Sequence, residues 1–296
     1  MTTTITAKDV AELRARTGAG MMDCKKALEE AGGDMARAAE LLRAKGMAKA
    51  EKRAGRSTSQ GLIAGVLLPD GGAGAMLELT CETDFVARNE DFQKAAQGLL
   101  QQLMDTEPMS LDAFLTQPAA GGPHAQTIAD QVKELTAKTG ENVALRNAVK
   151  YAPGRSGLVG LYLHHNHQVG VLVELECGSD GVARSSGARE LARELALHIA
   201  SADPLAVRAE DVPAEVIDRE RRIAEEQVVQ EGKPEAVRGK IVEGKLKKFL
   251  SERTLLHQPW VKDDKKAIGQ LMDEVSRQVG TALTVTRFTR LKVGEA

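Results

Sequence analysis

Leu79-Thr80-Cys81-Glu82-Thr83-Asp84-Phe85-Val86-Ala87-Arg88 is matched 96 residues later by Leu175-Glu176-Cys177-Gly178-Ser179-Asp180-Gly181-Val182-Ala183-Arg184. The match runs without a gap over residues 61–104 and 157–200, with 13 of 44 pairs identical, among them Cys81/Cys177, Asp84/Asp180 and Val86/Val182. A repeat of this length implies one fold used twice. Between the shared Asp and the shared Val, one copy carries Phe85 and the other carries Gly181. If both copies fold alike, the corner does not need the ring. Either the ring packs on Phe92 or on the neighbouring subdomain, or it serves something outside the fold. The second copy has Gly181 and Ala188 at the two equivalent positions, and that joint loss fits both readings. An exposed phenylalanine buried in a partner would contribute about 1.5–3 kcal/mol, enough to act as a wedge.

Each copy reads as an α+β half. Short apolar strands, 62–68 and 158–164, are followed by turns rich in Gly, Asp, Asn or His and then by second strands, 75–81 and 169–177, which is a hairpin signal. After the Asp corner come helices over 91–103 and 188–201. Asp180, at a strand-to-helix corner, is expected to cap the helix behind it, and Asp84 to share that task. Between the halves, 127–139 reads as an amphipathic helix and 143–151 as a strand, while the Gly/Pro-rich stretch from Pro118 to His124 reads as an exposed loop.

Outside the repeat the texture changes. Thr6-Ala7-Lys8-Asp9 has the form of a capping box, and Cys24, Ala27, Leu28 and Ala31 follow helical spacing. Asp34 is placed to cap a third helix that the sequence stops at Gly46. Residues 1–48 therefore form a three-helix module, and the basic, then Ser/Thr-rich stretch 49–60 reads as a linker. The core follows as 61–150 and as 151–206 with 258–296. Residues 207–257 hold two charged helices, 215–231 and 234–253, with sparse apolar seams and a tight Gly232-Lys233-Pro234 turn. That pattern predicts an antiparallel coiled-coil hairpin, projecting as a contact arm. A last helix over 269–279 and a strand over 281–293 are expected to complete the second half.

The composition sets limits on function. Hydrophobic residues make up 42%, charged residues 28% and aromatic residues 3%, so the cores are aliphatic. Forty basic residues against 42 acidic leave a net charge of −2, and with so few rings for stacking bases, nucleic acid is not the expected partner. No apolar run approaches the roughly 18–20 residues of a membrane span, and Met1-Thr2-Thr3-Thr4 leads into no secretory or transit signal. With three cysteines and no CxxC spacing, reduced buried thiols and a cytoplasmic location are expected. No Walker A or GxGxxG pattern is present, so no direct nucleotide binding is expected. His164-His165-Asn166-His167 offers imidazoles to a metal, but it falls in a hairpin turn and is read as solvated. Cys24 lies on an apolar stripe and is read as core rather than nucleophile.

Two stretches carry a family resemblance. Residues 13–28, Leu-Arg-Ala-Arg-Thr-Gly-Ala-Gly-Met-Met-Asp-Cys-Lys-Lys-Ala-Leu, and residues 78–88 around Thr83-Asp84-Phe85-Val86 resemble the two signatures of bacterial elongation factor Ts. The likeness covers nearly the whole chain. It implies an α+β fold with an N-terminal module of ubiquitin-associated (UBA) type, a duplicated core and a protruding coiled-coil hairpin. It also implies a non-enzymatic guanine-nucleotide exchange factor, without a cofactor of its own, whose partner is the GTPase elongation factor Tu. By the same resemblance Asp84 and Phe85, flanked by Thr83 and Val86, enter the partner's G domain, where the ring separates two helices and disturbs the Mg²⁺ and phosphate site. Secondary contacts map to Lys25, Val169, Gly170, His198 and Val261. His198 is equally well read as a packing histidine, since it sits among Leu195, Leu197 and Ile199. Thr80 stands where the family signature usually has Asn, a departure expected to affect packing. A short C-terminal module present in some relatives is expected to be missing after Val293-Gly294-Glu295-Ala296.

Overall fold

Three helices open the chain: α1 (Ala7–Thr17), α2 (Met21–Glu30) and α3 (Met35–Arg53). The boundary of α1 follows from local chemistry. Asp9 N–H donates to Thr6 Oγ1 at 3.3 Å, Thr6 N–H donates to Asp9 Oδ2 at 2.8 Å, and Gly18 ends the helix in the left-handed region. Asp34 caps α3 through Arg37 N–H at 3.0 Å. Val10, Leu13, Cys24, Ala27, Leu28 and Ala38 form the core of the three helices.

A computed structural model describes residues 5–120 and 127–295. The order continues β1 (Gln60–Leu67), β2 (Gly74–Cys81), α4 (Asp84–Ala87), α5 (Glu90–Asp105), α6 (Leu111–Leu115), α7 (Ile128–Thr139) and β3 (Ala144–Tyr151). Then come β4 (Gly157–Leu163), β5 (Val169–Glu176), α8 (Asp180–Ala183), α9 (Ser186–Ala202), α10 (Ala214–Gln230) and α11 (Glu235–Arg253). The chain closes with β6 (Pro259–Trp260), β7 (Asp263–Ala267), α12 (Ile268–Val279) and β8 (Thr284–Lys292). The sheets run β1-β2-β3, β4-β5-β8 and β6-β7. Strands β4 and β5 are antiparallel, in register from Gly157 opposite Glu176 to Leu163 opposite Gly170. The contacts divide the chain into two units. One holds the stretch up to Ala64, Leu77–Val149 and the end from Lys292; the other holds Gly65–Met76 and Lys150–Leu291.

The α+β expectation holds, and the repeat is longer than its sequence match. Helices α4 and α8 begin 96 residues apart at Asp84 and Asp180. Beyond them, α7 and α12 are both 12 residues long, start at Ile128 and Ile268, and end at left-handed glycines, Gly140 and Gly280; β3 and β8 then start at Ala144 and Thr284. The copies share the order strand, strand, short helix, long helix, helix, strand, with α6 added before α7 in the first. The second copy carries α10 and α11 inserted before its last helix. These two pack through Ala224, Val228, Val242 and Leu246, with Arg221 to Glu243 at 2.8 Å and Lys245 to Glu231 at 3.0 Å alongside.

The end of α3 differs from the sequence reading. α3 does not stop at Gly46 but runs to Arg53, through the first part of the predicted linker, and Ala50 is buried. Gly46 is there for close approach: a Cβ on it would lie 2.9 Å from the Cβ of Ala137 on α7. The rest of that stretch is tied down by hydrogen bonds. Asn142 Nδ2 donates to Arg56 O at 2.7 Å, and the Thr58 and Thr80 hydroxyls meet at 2.8 Å. Of the predicted loop at Pro118 to His124, residues 121–124 lie outside the described residues, while Pro118 bridges to Thr127.

Candidate functional site

The corner that carries Phe85 is four residues of helix, and its start is set by Thr83. The Thr83 side chain accepts Val86 N–H at 3.4 Å, and in the second copy Ser179 accepts Val182 N–H at 3.4 Å. The expectation that Asp84 and Asp180 cap these helices is therefore corrected. A hydroxyl one residue earlier sits at the non-helical cap position, whereas the carboxylates lie in the first turn and pair with the arginines four residues on, Asp84 with Arg88 at 2.9 Å and Asp180 with Arg184 at 2.8 Å. Both pairs are largely exposed and hold little energy.

Phe85 is 81% exposed, and α4 buries none of its residues. Phe92, the alternative packing partner of the ring, is fully buried in α5. The packing reading of Phe85 thus fails, because a ring this open has nearly all of its surface in water. Nor does the second copy forbid a side chain at the equivalent position. A Cβ on Gly181 would meet nothing within 4 Å. The fold neither requires the ring in one copy nor excludes it in the other.

Around the ring the backbone is braced. Thr83 N–H and Oγ1–H donate to the two oxygens of Glu141, at 2.9 and 2.6 Å, and Asn142 N–H donates to Glu82 Oε1 at 2.6 Å. The Asn142 N–H, with Arg56 adding its charge, holds the Glu82 carboxyl below its usual range. Cys81 lies beneath, with Sγ–H to Thr83 O at 3.1 Å, and burial pushes its thiol up to about 12; Cys177 is pushed up to about 11 for the same reason. Neither thiol is ionised at neutral pH. All three cysteines are free and buried, and Cys24 belongs to the helical core as expected. Thr80 is fully buried and donates to Ala144 O at 3.2 Å, so this departure from the family signature sits in packing.

Other residues singled out in the sequence fall in different settings. Lys25 is exposed on α2, 3.9 Å from Glu29. Val169 and Gly170 open β5, Val169 partly buried and Gly170 buried. His198 is fully buried on α9, yet it meets another of these residues. Val261 N–H donates to His198 Nδ1 at 3.4 Å, which places the ring proton on Nε2, 3.0 Å from Gln258 Oε1. Gln258 Nε2 is committed to Ala202 O at 3.2 Å and Glu252 O at 2.8 Å, which leaves Oε1 as the acceptor. Val261 itself is exposed in the β6–β7 turn, a hairpin that the sequence reading missed because its strands have two and five residues. Beside this turn Lys262 pairs with Glu194, one helical turn before His198.

Burial lowers the pKa of His198 more than the Gln258 hydrogen bond raises it. Its stability contribution is present above the unfolded value of about 6.5 and is lost as pH falls through the lower folded value, because the unfolded chain then binds the proton more readily. The midpoint of urea unfolding is accordingly expected to fall between pH 7.5 and pH 5.5, and His198→Gln is expected to reduce that fall. An unchanged pH dependence in the variant would refute this account.

The cluster at His164 to His167 is a turn. Tyr162 Oη lies 3.0 Å from His164 Nδ1, the His164 and His165 ring centroids are 4.3 Å apart, and His167 is left-handed. Among the described residues no group of three or more His, Cys, Asp or Glu side chains is placed to hold a metal ion, and no helix is long and apolar enough to cross a membrane.

Comparison with known proteins identifies the family. The family description "Elongation factor TS" matches residues 82–295. Elongation factor Ts of Symbiobacterium thermophilum is 45% identical over 291 residues, covering 98% of this chain and 92% of that protein. The Lawsonia intracellularis protein of the same name is 42% identical over 293 residues, covering 98% and 99%, and that of Aquifex aeolicus is 43% identical over 297 residues, covering 98% of each. With near-complete coverage of both chains at this level of identity, the chain belongs to the elongation factor Ts family.

Proposed function

We propose that this chain is a guanine-nucleotide exchange factor for elongation factor Tu, acting in translation elongation in the cytoplasm and without covalent chemistry. The observation that carries the reading is Phe85, 81% exposed on a braced corner and present in only one of two copies that fold alike. Membership of the family supplies the partner. The Asp84-Phe85 pair enters the G domain, where the ring separates two helices and disturbs the partner's Mg²⁺ and phosphate site. Because that Mg²⁺ neutralises the nucleotide phosphates and has few protein ligands, a small displacement there weakens GDP binding. Linkage requires that bound GDP weaken the grip of this protein by the same factor.

The remaining parts take supporting roles in this reading. The helices α1–α3 act as a docking module of UBA type, with Lys25 among its contacts, and α10–α11 serve as a coiled-coil contact arm. Val169, Gly170 and Val261 add contacts from the second half. No nucleotide, nucleic acid or membrane is bound directly. Release of a fluorescent GDP analogue from elongation factor Tu tests the reading: the full chain is expected to raise the dissociation rate. A rate left unchanged by saturating chain would make it an adaptor that docks without exchanging.

A further inference from the structure

The corner and the turn after α7 exchange carboxylates. Glu141 accepts from Thr83 at both N and Oγ1, and Glu82 accepts from Asn142 N. Each segment thus lends a side chain to the backbone of the other, and the three bonds, of 2.9, 2.6 and 2.6 Å, are all made to a carboxylate, the stronger class of hydrogen bond. The residue clasped is Thr83, whose side chain caps α4.

The second copy makes this informative. At the offset of 96 between the corners, Glu82 corresponds to Gly178 and Thr83 to Ser179. At the offset of 140 that relates α7–β3 to α12–β8, Glu141 corresponds to Thr281. Both carboxylates are gone: Gly178 is left-handed, with φ 72°, which strains any side chain there, and a Cβ on it would lie 2.8 Å from Thr281 Oγ1. The short helix still forms, at the same place and with the same hydroxyl cap. Folding of the corner therefore does not require the clasp. It occurs in the copy that carries Phe85 and is absent from the copy that carries Gly181.

We propose that Glu141, seconded by Glu82, is a positioning residue that aims Phe85 at its partner by locking the Thr83 cap. This inference rests on the reading of Phe85 as the exchange wedge. A ring that must enter between two helices of another protein loses effect when its base can tilt, and the clasp removes that freedom before the partner arrives, as preorganisation requires. Glutamine at position 141 keeps the function: its amide oxygen accepts Thr83 N–H, and its NH₂ donates to Thr83 Oγ1. Threonine there, the residue the second copy already folds with, reaches neither.

The test is a double-mutant cycle on GDP release from elongation factor Tu at saturating factor, with wild type, Glu141→Thr, Phe85→Ala and the pair, and Glu141→Gln as the conservative control. Glu141→Thr is expected to slow release about tenfold, the order set by misplacing a working group by a fraction of an ångström. It should still melt in one cooperative step, lowered by several degrees for the two lost hydrogen bonds, and speed backbone amide exchange within residues 82–89. Glu141→Gln should stay near wild type, and Glu141→Thr should cost nothing further once the ring is gone. Wild-type release by Glu141→Thr alongside slow release by Phe85→Ala would overturn the positioning role and leave the wedge standing. Losses that multiply in the double variant would overturn it too, by showing that Glu141 does not act through the ring. Wild-type release by Phe85→Ala would bring down the wedge reading itself, and this inference with it.

Discussion

Phe85→Ala is expected to melt with the wild-type protein and to slow GDP release from elongation factor Tu by about tenfold to about a hundredfold. The first half follows from exposure. A side chain 81% in water gives up almost no buried area on truncation, and α4 has no buried residue for the change to disturb. The second half follows from what the ring gains on entering a partner. Full burial of a phenylalanine is worth about 1.5–3 kcal/mol, and each 1.4 kcal/mol is a factor of ten when that contact is made in the state that releases the nucleotide. Stopped-flow release of a labelled nucleotide checks the rate, and a thermal melt checks the fold. A variant as fast as wild type would remove Phe85 from the mechanism. A variant that melts early would show that the ring serves the fold after all.

Phe92→Ala is expected to do the reverse, destabilising the protein by about 3–5 kcal/mol through the cavity it leaves. The two phenylalanines are seven positions apart, yet Phe92 is fully buried on α5, whose inner face also holds Ala96, Leu99, Leu100 and Leu103. The second copy has Ala188 at the equivalent place, also fully buried, so an alanine there is compatible with the architecture. It does not follow that the first copy tolerates it. Ala188 is covered by the packed core of its own unit, which includes Leu191, Leu271 and Leu283, whereas truncating Phe92 removes a ring around which its neighbours are already placed. Urea unfolding followed by circular dichroism should show a clearly lower midpoint. A loss below about 1 kcal/mol would mean that the site collapses around the smaller residue.

The repeat was legible because identical pairs without a gap over 61–104 and 157–200 are a one-dimensional signal. Helix starts were legible where a capping residue stood alone at the boundary, as at Thr6 and Asp34. Other features were hidden for physical reasons. The α7–β3 and α12–β8 parts share an apolar rhythm and a terminal glycine but few identities, so their kinship shows only in equal helix lengths and matching left-handed caps. Gly46 reads as a stop signal, since nothing local distinguishes a glycine that ends a helix from one that lets a second helix approach. Asp84 reads as a cap because Asp and Thr both serve at that position, and only backbone geometry assigns it to Thr83. The partners of Thr83 and Glu82, 58 and 60 residues away, leave no local signal at all.

By itself, then, the sequence determined that one α+β unit is used twice, that the cores are aliphatic, and that the corner carries Phe85 in one copy and Gly181 in the other. All three are properties of composition and pairing along the chain. Only the tertiary structure decided that Phe85 stands in solvent while Phe92 is core, that His198 is buried behind the backbone of Val261, and that Glu141 and Glu82 clasp the corner. Exposure and hydrogen bonding across some sixty residues depend on which segments the fold brings together, and no local pattern encodes that.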